Sequence, residues 1–190
     1  YYKNVCADKG KKIKFKSKEK AINEVIKRNG KDYVLFPGPG SKDFHPVFYE
    51  ESPDPLPDLS MSGNPISLHF SPHKKGEVKI IKFRLKNNKT RKTLKVRHLN
   101  SRNDPNKKFK KNFFAFFPLH RLDWDTEYSA NLIYESCNTP CRKKIRKKIN
   151  WSFKTRKFKY KVITISNRKP QTVEVKNGQN IIFYFKPKKI

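Results

Sequence analysis

From Ile66 onward, apolar and polar side chains alternate along the chain with a period of two. Ile66, Leu68 and Phe70 are separated by Ser67 and His69, the signature of a strand with one face in a core and one in water. Val78, Ile80, Ile81, Phe83 and Leu85 follow, and the phase change between Ile80 and Ile81 predicts a β-bulge. Leu94 and Val96 alternate with Lys95 and Arg97, residues 100–112 form a polar loop, and Phe113 to Phe117 give an aromatic strand. Phe117, Pro118 and Leu119 then read as a strand end broken by proline. A short corner through Leu122 and Thr126 leads into alternation at Tyr128, Ala130, Leu132 and Tyr134, and a last strand runs from Ile149 through Trp151, Ser152, Phe153 and Lys154 to Thr155. This pattern predicts an antiparallel β-sandwich over residues 66–155.

Upstream the pattern changes twice. Ser17 suits a helix N-cap; Ala21, Ile22, Val25 and Ile26 form an i, i+3, i+4 stripe, and Gly30 stands where a helix would end, so a helix is expected over 18–28. Tyr33 to Phe36 make a short strand that closes the N-terminal segment, 1–36. Residues 37–65 are punctuated by Pro46, Pro53, Pro55, Pro57 and Pro65, and gather Asp43, Glu50, Glu51, Asp54 and Asp58. Proline fixes φ and removes a donor, so this stretch reads as an acidic arm lying over the sandwich rather than a central strand. Phe44, Val47, Phe48, Tyr49 and Leu56 are its candidate anchors. Residues 156–190 form a C-terminal β extension: Tyr160 to Ile165, Thr172 to Val175 and Ile181 to Phe185, with a turn at Asn177 and Gly178.

Charge sharpens the functional question. The 190 residues carry 46 basic and 16 acidic side chains, a formal net charge of +30. Two readings compete: attraction to a polyanion, or a compositional habit that fills solvated positions with lysine. Lysine far outnumbers arginine and is spread along almost the whole chain, which favours the second. Base and phosphate readout leans on arginine, so nucleic acid is not the expected partner. The 15 Phe and 8 Tyr argue for a packed core rather than disorder. No run of ~18 apolar residues could span a membrane. The chain opens at Tyr1 without a start methionine, as a piece of a longer protein would.

The chemistry-bearing residues make no catalytic pattern. His45 beside Glu50, Glu51 and Asp54 is the one mixed cluster that could take a metal, but no tight loop fixes it, and a solvated acidic arm is the favoured reading. His69, His73, His98 and His120 lack a matching Ser, Cys or Asp set. Glu127 and Glu135 share a strand face as surface acids do by default. Gly38 and Gly40 flank a proline that lacks the N–H a phosphate loop needs. No metal, cofactor or catalytic residue is assigned. Cys137 and Cys141 bracket a Pro140 turn; a second pair of zinc ligands is missing, so a local disulfide is expected, and with it an extracytoplasmic location. Cys6 is left over. The densest cationic run, Arg142, Lys143, Lys144, Arg146, Lys147 and Lys148, is the candidate anion-binding site. It continues to Lys161, with Phe158 and Tyr160 interleaved.

Phe117, Pro118, Leu119, Thr126, Tyr128, Trp151, Ser152, Phe153 and Thr155 resemble the signature of bacterial Ig-like domains of S-layer and other exported proteins. The likeness covers roughly residues 64–155. The arm carries a second resemblance in Leu35 to Gly38, Pro46 to Phe48, Glu51, Pro53 to Pro57, Gly63 and Pro65 to Ser67. These are similar to the region downstream of the CAP (cysteine-rich secretory protein) domain in some bacterial secreted proteins. Together they imply a mostly β chain: an Ig-like antiparallel β-sandwich with a short N-terminal helix, a Pro-rich arm and a C-terminal β extension. They also imply a non-catalytic accessory domain whose partner is an upstream CAP domain in the same full-length chain. Lysine excess and the Cys137–Cys141 insertion depart from the usual Ig-like hairpin. The alternative reading is a module that binds a polyanion, nucleic acid or an anionic envelope polymer, through residues 142–161.

Overall fold

The alternation expected from the sequence is clearest in the strand Glu127–Ser136, which buries every second side chain. In the computed structural model the described residues are 5–6, 12–13, 20, 24, 26, 31–49, 51–71, 77–137, 141, 143–158, 160–165, 172–178 and 181–185. They contain β1 (Val5–Cys6), β2 (Lys12–Ile13), β3 (Tyr33–Phe36), β4 (Ile66–Phe70), β5 (Val78–Asn87), β6 (Thr93–Leu94), β7 (Val96–Asn100), β8 (Phe113–Pro118), β9 (Glu127–Ser136), β10 (Ile145–Lys154), β11 (Lys161–Ile165) and β12 (Ile181–Phe185). The helix expected over 18–28 falls mostly outside the described residues; of those inside it, Lys20, Glu24 and Ile26 have helical backbone.

Two four-stranded antiparallel sheets make the sandwich. One has the order β3-β4-β8-β7 and the other β10-β9-β5-β6. With β3 to β10 lettered along the chain as A, B, C, C′, D, E, F and G, these sheets are ABED and C′CFG, the strand arrangement of the immunoglobulin fold. The sandwich thus begins at Tyr33, since β3 pairs with β4 along Tyr33–Phe70 to Phe36–Ser67. The expected bulge is present: the β5–β9 register shifts between Ile80 and Lys82.

Between the sheets lies the main core. Ile66, Leu68 and Phe70 from β4, and Phe114 and Phe116 from β8, meet Leu85, Tyr128, Leu132, Trp151 and Phe153 of the opposite sheet. Burial alternates without a break along β9, from exposed Glu127 and buried Tyr128 to buried Ser136. The Tyr128 ring is nearly parallel to Phe153, with centroids 5.8 Å apart. Its hydroxyl accepts from the Asp123 amide at 2.8 Å, the tyrosine corner that pins the turn into strand F. Thr126 and Thr155 close the same corner, the Thr126 amide donating to Thr155 Oγ1 at 2.9 Å and the Thr155 amide to the Thr126 carbonyl at 3.0 Å. These are residues that carried the resemblance, and here they act as scaffold.

A second, smaller core lies on the outside of the β3-β4-β8-β7 sheet. Leu99, Ala115 and Phe117 point outward from the sheet and are covered by Leu56 of the arm, with Phe48, Leu59, Phe109 and Phe113 around them. The arm therefore seals this face, and Phe44 reaches the main core. Among the described residues it pairs only through isolated bridges, Phe44 with Thr155 and Phe48 with Ser62, as its prolines require. Arg97 holds Asp58 in a two-pronged ion pair, and Arg156 Nε lies 3.4 Å from Asp43. Tyr49, expected among the anchors, is instead 53 % exposed; Val47 and Phe48 turn their sides to the protein and leave Tyr49 to solvent.

The chain divides into two compact units, Tyr1–Arg156 and Lys157–Ile190. Within the second, β11 and β12 pair in parallel from Lys161–Ile181 to Ile165–Phe185. Thr172 to Val175, expected as a strand, have no strand pairing, although Asn177 and Gly178 do form a turn. The strand after that turn, β12, takes β11 as its partner.

Candidate anion-binding face

With one sheet covered by the arm, the sequence leaves the outside of β10-β9-β5-β6 as the open surface of the sandwich. Strand alternation sets its composition. Tyr128, Ala130, Leu132 and Tyr134 of β9 go inward, so Glu127, Ser129, Asn131, Ile133 and Glu135 face out. On β10, burial of Ile149, Trp151 and Phe153 turns Lys148, Asn150 and Ser152 outward. Beyond the bulge, β5 buries Leu85 and Asn87 and presents Lys82, Arg84 and Lys86. Register brings these into rows: Lys148–Ile133–Lys82, Asn150–Asn131–Arg84 and Ser152–Ser129–Lys86.

The rows shape a shallow, open groove of about 770 Å³, whose lining includes Ser129, Asn131, Asn150 and Ser152 together with Arg84, Lys86, Arg91 and Lys148. No acidic side chain among the described residues lines it. Among the described residues none of the four cations has an ion pair, whereas neighbours outside the groove do. Arg146 binds Glu135 at 2.7 Å, Lys154 binds Asp125 at 2.7 Å, and Lys144 approaches Glu77 at 3.9 Å. The two outer-face acids of β9 are thus held at the ends of the face: Glu135 by Arg146, and Glu127 by the Asn88 amide at 3.1 Å. The floor is neutral and partly self-bonded, Asn131 donating to Asn150 and Ser129 to Asn88 Oδ1 at 2.9 Å.

The cationic run read from the sequence does not form one surface. Of its described residues only Lys148 lines the groove. Arg146 and Lys144 are engaged by acids, Lys143 and Lys147 are exposed, Lys147 having the strand parity of Ile149, and Arg142 lies outside the described residues. Arg156 is engaged by Asp43. Phe158 and Tyr160 pack edge-to-face at 5.6 Å in the second unit, where Lys161 Nζ donates to the Glu174 carbonyl at 2.7 Å; Lys159 is not described. Arg84, Lys86 and Arg91 were missed because they are scattered in sequence. The signal that could have found them was the outward phase of β5, where Arg84 and Lys86 flank buried Leu85.

Several of the remaining candidates have structural partners. His45 Nδ1 lies 2.9 Å from the Val47 carbonyl oxygen, and its ring meets Trp124 at 5.8 Å; Asp54 caps the Leu56 amide at 2.8 Å. Among the described residues no three His, Cys, Asp or Glu side chains converge as metal ligands. His98 stacks on Phe116 at 4.9 Å, and burial pushes its imidazole below the ordinary value of 6.5. His69 packs on Phe113, with centroids 3.9 Å apart, while His120 is exposed and His73 lies outside the described residues. Cys137 and Cys141 are joined as a disulfide with Cα atoms 5.1 Å apart. No helix among the described residues is long and apolar enough to cross a membrane. No protein-family model matches this chain, and no curated protein matches it.

Proposed function

We propose that this chain is a non-catalytic interaction module of an exported bacterial protein, carried downstream of a CAP domain in the full-length chain and working outside the cytoplasm. The observation that carries this reading is the division of labour between the two sheet faces. One is covered by the acidic arm, whose Asp58 pairs with Arg97 of the sheet. The other is open, with four cations free of ion pairs among the described residues. The CAP connection rests on the arm motif, and the location on the Cys137–Cys141 bridge, since such bridges persist in oxidising compartments.

Polyanion binding is the mode of interaction that the open face favours. It shifts the binding surface from the 142–148 run to the outside of β5, β9 and β10, and takes an anionic envelope polymer rather than nucleic acid as ligand. The export reading is tested by thiol trapping during fractionation of cells producing the full-length protein. The protein is expected in the envelope or secreted fraction, with Cys137 and Cys141 resisting alkylation until a reductant is added. Cytoplasmic protein whose two thiols alkylate freely would contradict it.

A further inference from the structure

We propose that the outer groove of β5, β9 and β10 is a site for a hydroxyl-rich phosphodiester polymer, a polyol phosphate, rather than for nucleic acid. This inference rests on the reading of that sheet as the ligand-binding face and adds the chemical class of the ligand. Two kinds of group meet in the groove. Arg84 and Lys86 stand about 7 Å apart along β5, and Lys148 lies on the far strand about 10 Å across the sheet, in the row next to Asn150–Asn131–Arg84. Arg91, in the turn between β5 and β6, completes the cationic lining. The spacing lets successive phosphates of one chain meet different cations. Arginine forks suit phosphate oxygens in particular.

The floor between the cations decides the class. After their internal bonds, Ser129, Asn131, Asn150 and Ser152 keep donor and acceptor capacity, which matches the hydroxyls of a polyol. Nucleic acid would want aromatic platforms for its bases. Among the described residues the one aromatic lining the groove is Trp151, and it is 6 % exposed and packed into the core. A nucleic acid therefore gains only the charge term here, while a polyol phosphate gains charge and hydrogen bonds together.

The test uses the full chain near physiological salt, where screening confines exposed charges to about 8 Å. Three probes are compared: synthetic poly(glycerol phosphate), inorganic polyphosphate and oligothymidylate. The variant R84Q/R91Q/K148Q is set against K107Q/K108Q/K111Q, of equal charge on the loop beside the sealed face. The groove variant is expected to bind poly(glycerol phosphate) at least about tenfold more weakly, with a salt slope shallower by about 2, roughly 0.7 for each phosphate that is no longer neutralised. The loop variant should stay within about twofold of the parent. N150V/S152V, which keeps the charge, should weaken poly(glycerol phosphate) severalfold and leave polyphosphate unchanged. Equal losses in the two charge variants would overturn the binding face itself. A selective groove loss, with oligothymidylate bound as tightly as poly(glycerol phosphate) and no effect of N150V/S152V, would overturn only the polyol class.

Discussion

Replacing Phe116 with alanine is expected to remove about 3–5 kcal/mol of stability, the range for deleting a buried aromatic side chain. Phe116 is 1 % exposed and sits where the two sheets meet. Its ring stacks on Phe83 at 3.9 Å, nearly parallel, and on His98 at 4.9 Å from the adjacent strand. The neighbours belong to different strands of both sheets, so the cavity cannot collapse by moving one side chain. A loss of this size is a large part of the stability of a typical domain and should lower the melting temperature by about 10 °C or more. Phe116→Leu keeps most of the volume and should lose clearly less. Calorimetric melting of the three proteins checks this; an alanine variant that melts within a degree or two of the parent would mean the two sheets do not pack through β8.

Asp104→Ala should cost about 1–3 kcal/mol, the desolvation scale for unsatisfied buried donors, and should act at a distance. The Asp104 carboxylate accepts from the amides of Asn106, Lys108 and Phe109 at 3.1, 2.6 and 2.8 Å. That loop places Phe109 edge-on to Phe113 at 4.4 Å, and the Asn106 side chain donates to the Asp54 carbonyl of the arm at 2.7 Å. Losing the carboxylate frees three donors and loosens the clamp on the arm. Amide hydrogen exchange should therefore rise at Leu56, Leu59 and Ser62 as well as in the loop. Exchange confined to residues 104–109 would show that the arm is held without the loop.

The strands of the sandwich were legible because a half-buried strand writes its period into the sequence. The bulge at Ile80 and Ile81 was legible for the same reason, as a slip of phase. What periodicity cannot encode is partnership. Leu94 and Val96 keep the same phase and both pack against the main core, yet the chain changes sheets at Lys95, so the sequence reads as one strand where there are two. Tyr33 to Phe36 read correctly as a strand, but nothing in four residues tells which sheet receives it. Val173 and Val175 before Asn177–Gly178 imitate a hairpin arm, while β12 joins β11 instead. The groove was hidden in the same way: Lys148 lay in a visible run, whereas Arg84, Lys86 and Arg91 join it only through register. The resemblance motif was legible for a structural reason, since Thr126, Tyr128 and Thr155 build a corner that few other residues could build.

The central claim, that the protein meets its ligand on the open outer face of β5, β9 and β10, is tested most directly by mapping amide chemical shifts of the isotopically labelled full chain during titration with inorganic polyphosphate. Near physiological salt the largest perturbations are expected at Arg84, Lys86, Arg91, Ser129, Asn131, Lys148, Asn150 and Ser152, with little change at Leu99, Ala115 and Phe117 beneath the arm. Perturbations of similar size at lysines throughout the chain would contradict it and make the charge a solvated coat; perturbations centred on Lys143, Lys144 and Lys147 would contradict it by moving the site to the 142–148 run.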